Sequence, residues 1–132
     1  MKTIRCVIVE PDKAPYISSI PNTLEAKQEI VNGLIDYLIF DSDAEIVFNE
    51  EFLDLMLPIN RVLFDKRTFS CVVLRGTFII VGAADEEGSW TSLSKSEAEK
   101  YIKLFSDFQI PWNSDYCPLN HIDSYRKWFH RN

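Results

Sequence analysis

Short runs of alternating apolar and polar residues, broken by turn-forming clusters, most tightly constrain how this chain can fold. In residues 3–10, Ile4, Cys6 and Ile8 alternate with Thr3, Arg5, Val7 and Val9, which is the period of a strand. Pro11-Asp12-Lys13-Ala14-Pro15 interrupts it, because proline fixes φ and offers no ladder donor. Residues 16–20 resume as a second strand, so the pair predicts a hairpin. Residues 34–40, with Ile35, Tyr37 and Ile39 on one face, and residues 44–49, with Ile46 and Phe48, predict another around Asp41-Ser42-Asp43. Residues 70–75 and 77–82 are rich in β-branched side chains, and Gly76 between them is read as a hairpin turn or a bulge. Residues 50–57 fit a helical turn through Phe52, Leu55 and Met56, or a strand through Leu53, Leu55 and Leu57.

Two helices punctuate these strands. Pro21-Asn22-Thr23-Leu24-Glu25 reads as a start, with Asn22 as N-cap and Glu25 at N3. Leu24, Lys27, Ile30, Val31 and Leu34 follow at helical spacing, the lysine being the weak member, and Gly33 is the expected stop. The clearest local signal is Ser94-Lys95-Ser96-Glu97, a capping box with Leu93 and Ala98 placed as a hydrophobic staple. That helix should run to about Phe105, with Ala98, Tyr101, Ile102 and Phe105 inward. Residues 106–118 read as a loop anchored by Pro111 and Trp112, and residues 120–130 as a last short helix. Helices that do not alternate regularly with hairpin-spaced strands predict an α+β fold. The expectation is a mainly antiparallel sheet of five to six short strands with two to three helices. Residues 1–105 would form one compact domain, with 106–132 an aromatic-rich extension packed on it.

Size supports a single core. For 132 residues, area scaling gives a folded surface of roughly 7,000 Å² against roughly 22,000 Å² unfolded. No apolar run approaches the ~20 residues that cross a bilayer. The charged start Met1-Lys2-Thr3-Ile4-Arg5 does not read as a secretory signal. Three cysteines, Cys6, Cys71 and Cys117, are odd in number and widely spaced, which fits a reducing cytoplasm.

Charge is uneven. The net charge is −6, and between Lys27 and Arg61 there are eight acids and no base. The span contains Asp41, Asp43, Glu45, Glu50, Glu51 and Asp54, a candidate acidic interaction face. Such a face repels phosphate, so no direct nucleic-acid contact is expected through it. It either meets a basic partner or simply stays solvated.

Chemistry-bearing motifs are sparse. The four glycines include none of the paired spacings of phosphate loops. No Gly-x-Ser-x-Gly elbow occurs. Cys117-x-x-x-His121, with His130, is short of a closed zinc set. Glu50 and Glu51 are adjacent, so on a strand they would point to opposite faces. No catalytic residue, metal ligand or cofactor is therefore nominated. Leu57-Pro58-Ile59-Asn60-Arg61 stands apart, because hydrophobic patterning does not explain it. Pro58 stiffens the chain, Asn60 can turn it by bonding its own backbone, and Arg61 is the first base after the acidic span. Arg61 either pairs with Glu50, Glu51 or Asp54, or offers a planar donor fork to a carboxylate, a phosphate or a partner's acid. Asn49 and Thr77 would join Asn60 and Arg61 in such a binding site if the strands align. Trp90, Trp112 and Trp128, with Tyr116, Tyr125 and Phe129, are read mostly as core and partly as a contact surface.

Val9-Glu10-Pro11, Asn49-Glu50-Glu51, Leu57-Pro58-Ile59-Asn60-Arg61, the run from Gly76 to Gly82, and Ser92-Leu93 occur in that order. In this the chain resembles, over about residues 3–105, a domain-of-unknown-function family carried by phages, plasmids and conjugative elements of Firmicutes, many from the gut. The family usually has a glycine after its Asn-Glu-Glu. Here Phe52 stands there, which favours a helical turn at 50–53. The resemblance implies a setting and no activity: an accessory protein of a mobile element in a bacterial cytoplasm. The expected function is a non-enzymatic protein-interaction or regulatory module, including an anti-defence role, acting on a host or mobile-element protein and not on a membrane. The alternative is a small anionic-ligand module using Asn60 and Arg61.

Overall fold

The computed structural model describes residues 2–116. Within them the fold is α+β and mainly antiparallel. Strands β1 (Thr3–Val9) and β2 (Tyr16–Pro21) form the first hairpin, and helix α1 (Leu24–Val31) follows. Strands β3 (Ile35–Asp41) and β4 (Ala44–Asn49) form the second hairpin. Next come β5 (Ile59–Asp65), β6 (Ser70–Arg75), β7 (Phe78–Gly82), helix α2 (Lys95–Leu104) and the short β8 (Gln109–Pro111). A 3₁₀ turn at Ser114–Tyr116 ends the described chain. The strands make two sheets, a five-stranded one ordered β2-β1-β7-β4-β3 and a three-stranded one ordered β6-β5-β8.

Every residue of β4 and β7 is buried, because the large sheet is covered on both faces. On one face Val7, Val9, Leu38, Phe40, Ile46, Phe48 and Phe78 pack against Leu63, Val72 and Leu74 of the small sheet. Ala98, Tyr101 and Phe105 from the α2 region complete that core. On the other face Ile4, Cys6, Ile8, Val47, Ile79 and Val81 form a second cluster with Val31 of α1. Burial raises the Cys6 thiol to about 11, so it is protonated and inert at neutral pH.

Several details differ from what the sequence predicts. Gly76 neither turns a hairpin nor bulges a strand: β6 and β7 belong to different sheets, and Gly76 carries the chain between them. Its φ of +73° suits glycine, and a Cβ there would lie 2.7 Å from Leu57 Cδ1. The N-cap of α1 is Thr23, whose side chain accepts from the Ala26 amide, and not Asn22. Asn32, at φ +62°, ends the helix in the left-handed conformation expected of Gly33. Lys27 is not the weak member of its face but is buried, while Leu24 is exposed. The loop expected over 106–118 contains β8, which runs parallel to β5 from Val62–Gln109 to Phe64–Pro111. Of the two expected anchors, Trp112 is buried and Pro111 exposed. The predicted helix at 120–130, Cys117, His121 and His130, and the aromatics Tyr125, Trp128 and Phe129, lie outside the described residues.

The capping box of α2 is present: Ser94 Oγ accepts from the Glu97 amide and Glu97 Oε1 accepts from the Ser94 amide. Replacing Ser94 by Ala should lower the unfolding free energy by about 1 kcal/mol in urea titrations, with the m-value unchanged.

Candidate functional site: the Asn60–Arg61 knot and its surroundings

Asn60 and Arg61 lie inside strand β5 and not on a turn. The ladder with β6 slips between Ile59 and Arg61, so Asn60 occupies a bulge. Asn60 does not bond its own backbone. Its Nδ2 donates to Val9 O and to Gly76 O, both at 2.9 Å. Arg61 is 6% exposed and pairs with none of Glu50, Glu51 or Asp54. Its Nε donates to Phe105 O at 2.9 Å and its Nη2 to Lys13 O at 3.0 Å. Nη1 donates to the carbonyl and side-chain oxygens of Asn60 at 3.1 and 2.8 Å. Two adjacent side chains therefore join the end of β1, the β1–β2 loop, the Gly76 crossover and the C-terminus of α2.

The planar guanidinium fork suits this task because its donors diverge in fixed directions. Carbonyl dipoles, including one at a helix C-terminus, stabilise the charge in place of a contacting carboxylate. Burial lowers the Arg61 pKa, and the charge of Asp12 partly opposes this. A groove of about 360 Å³ lies beside it, lined by Asp12, Lys13, Ala14, Asn60, Arg61, Ser106 and Phe108. An anion entering there meets Asp12 and an arginine whose donors are already directed at carbonyl oxygens. This geometry favours a structural role over ligand binding.

The other predicted binding residues sit apart or nearby as follows. Asn49 is buried and turned to α1, where its Nδ2 donates to Val31 O and Asn32 O at 3.1 and 3.3 Å. It thereby satisfies carbonyls that a helix end leaves open. Gly33 gives it room, since a Cβ there would stand 2.7 Å from Asn49 Nδ2. Thr77 is half-buried, one residue beyond Gly76.

The predicted acidic face divides. Glu45 is not on a solvated face; it is 6% exposed and accepts from the Ala84 amide and from Trp90 Nε1 at 2.9 and 3.0 Å. Asp41 accepts from the Tyr101 hydroxyl at 2.8 and 2.7 Å and stands 3.7 Å from Lys100 Nζ. Burial, then Asp41, pushes the Tyr101 pKa well up. Asp43 is exposed beside Asp41 in the β3–β4 turn, whereas Glu50, Glu51 and Asp54 are exposed past the other end of β4. At ~3.3 Å per strand residue the two groups are separated by roughly 20 Å. The segment after β4 takes a helical turn, with Leu55 N donating to Glu51 O at 2.9 Å and Phe52 buried beneath it. Leu55 and Met56 stay 53% and 73% exposed on the same segment.

Two buried groups escaped sequence reasoning. Lys27 is 3% exposed; its Nζ donates to Asn22 Oδ1 at 2.8 Å and lies 5.5 Å from the Trp90 ring centroid. Burial lowers its pKa. The Trp90 indole thus touches a buried cation through its face and the buried Glu45 through its N–H. Asp65 is 2% exposed and accepts from Ser114 Oγ at 2.6 Å, from the Ser114 amide at 2.9 Å, and from the Arg67 amide and guanidinium. These donors, those of Ser114 first, hold its carboxyl well below the usual range. The long-range partner, Ser114, carries no signal in the sequence.

A family model described as a domain of unknown function, DUF3846, matches residues 4–106. The chain belongs to this family. No curated protein and no solved structure matches it. The match ends just before β8, so the small sheet's third strand lies beyond the matched residues. Among the described residues, no three His, Cys, Asp or Glu side chains gather as a metal site, and no helix is long and apolar enough to cross a membrane.

Two measurements check these assignments. Arg61→Met should reduce stability by about 3 kcal/mol, since it strips donors from buried carbonyls. Arg61→Lys should recover little of this loss in chemical denaturation, because one ammonium cannot reach the separated acceptors. Asp65 has a depressed folded pKa, so its contribution is complete above its unfolded value of about 4 and is lost as pH falls toward the folded one. Thermal melts should therefore show Asp65→Asn less stable than the parent at pH 7, with the gap closing below about pH 4.

Proposed function

We propose that this chain is a protein-interaction or regulatory module that binds a basic, partly apolar segment of another protein. The observation that carries the reading is the segment after β4. There Glu50, Glu51 and Asp54 are exposed beside Leu55 and Met56, on a turn anchored by the buried Phe52. Exposed acids steer a basic partner and disfavour phosphate, while exposed Leu and Met side chains supply adaptable apolar contact. The arginine of the central knot is turned inward, which leaves this surface the better-supported contact point.

The resemblance to phage, plasmid and conjugative-element proteins supplies the setting of the proposal: an accessory protein in a bacterial cytoplasm, with a host or element protein as partner. An anti-defence role, including mimicry of nucleic-acid charge, is consistent with the acidic segment. Pull-down from a bacterial lysate tests it. Replacing Glu50 and Glu51 by Gln, Asp54 by Asn and Met56 by Ser should abolish capture of a salt-sensitive partner while the melting curve stays in place. A partner set unchanged by these four substitutions would sink the proposal.

A further inference from the structure

The outer strand of the small sheet differs from the other edges of the fold. An exposed edge is a template for pairing, and proteins blunt such edges with proline, charge, bulges or cover. Strand β2 contains Ser18 and Ser19 and ends in Pro21. Strand β3 carries Asp36 and Asp41, is irregular between Ile39 and Asp41, and has Ile39 O accepting from Trp112 Nε1. Strand β8 has three residues, one of them Pro111. Strand β6, Ser-Cys-Val-Val-Leu-Arg, has no proline and no acid, and among the described residues no strand pairs with its outer side.

We propose that β6 is a homodimerisation edge, pairing antiparallel with β6 of a second copy to join two three-stranded sheets into one of six. The sequence is self-complementary in that arrangement. Centring the two-fold axis on Val73 sets Val73 against its own copy, Val72 against Leu74 on the core face and Cys71 against Arg75 on the outer face. Like charges therefore do not face each other, and β-branched residues meet at the centre. The two ends supply complementary groups. Phe69, just before the strand, is 80% exposed and held at φ +59°, a conformation that bulky residues rarely adopt. At the far end Arg75 donates through Nη1 to Leu57 O at 3.2 Å, and its Nε has no hydrogen-bond partner. Antiparallel pairing brings Phe69 of each copy to the Arg75 end of the other, where an aromatic ring can stack on a guanidinium. A two-fold contact of this kind closes on itself and stops at two copies.

Sedimentation velocity of the full chain from micromolar to millimolar concentration tests the inference. The expected result is a monomer–dimer equilibrium ending at twice the 15.3 kDa chain mass. Val73→Lys, which sets ammonium groups close together across the axis, should raise the dissociation constant at least tenfold. Phe69→Ser should do the same, and removing so exposed a side chain leaves the monomer's core intact. Far-UV circular dichroism should confirm that both variants fold. A wild-type chain that stays monomeric, a dimer that both variants leave unchanged, or growth beyond two copies would each overturn the proposal.

Discussion

A guanidinium buried among backbone carbonyls holds the two sheets of this fold in register. Arg61 reaches Phe105 O, Lys13 O and Asn60, and Asn60 reaches Val9 O and Gly76 O. Phe105 O, Lys13 O, Val9 O and Gly76 O lie at the end of an element or in a connection, and Asn60 lies at the β5 bulge. Taking a charge out of water is unfavourable, and that cost is offset only when its donors are well satisfied. Here the satisfaction comes from dipoles at the junctions the fold must close. The same two residues therefore neutralise the penalty of their own burial and that of five separate backbone oxygens.

The pattern recurs at smaller scale. Asn49 closes the end of α1, Asp65 gathers the amides of Arg67 and Ser114, and Glu45 takes the Ala84 amide. In each case a buried polar side chain completes backbone hydrogen bonding between elements distant in sequence. The exposed ion pairs are peripheral by comparison: Lys13–Glu10 and Arg67–Asp115 involve mostly exposed partners and contribute little. Lys27 and Glu45 are joined through Trp90 rather than by direct contact, so an indole couples α1 to the loop that covers the large sheet.

The fold was legible where physics acts locally. Alternation located the two hairpins, and the capping box located α2, because both depend on neighbours a few residues away. The reading failed at β5 and β8. Strand β5 follows Pro58 and carries Asn60 and Arg61 directly after its first residue, which read as polar and irregular. Strand β8 is three residues long, too short for a period to register. Of the candidate site, Asn60 and Arg61 were singled out correctly as unusual, but their roles were misread, since their acceptors lie between 1 and 51 residues away. Asn49 was nominated beside them, yet it serves a helix end instead.

By itself the sequence determined the class of fold, the two hairpins, the α2 start and the concentration of acids between Lys27 and Arg61. These follow from side-chain period, turn chemistry and charge, which are properties of contiguous segments. Only the tertiary structure decided that Gly76 crosses between two sheets, that Glu45 is buried while Glu50 and Glu51 are not, and that Arg61 faces carbonyls rather than carboxylates. The physical reason is that a buried polar group takes whichever acceptor the packing brings to it, and packing is a relation between segments that no single segment contains.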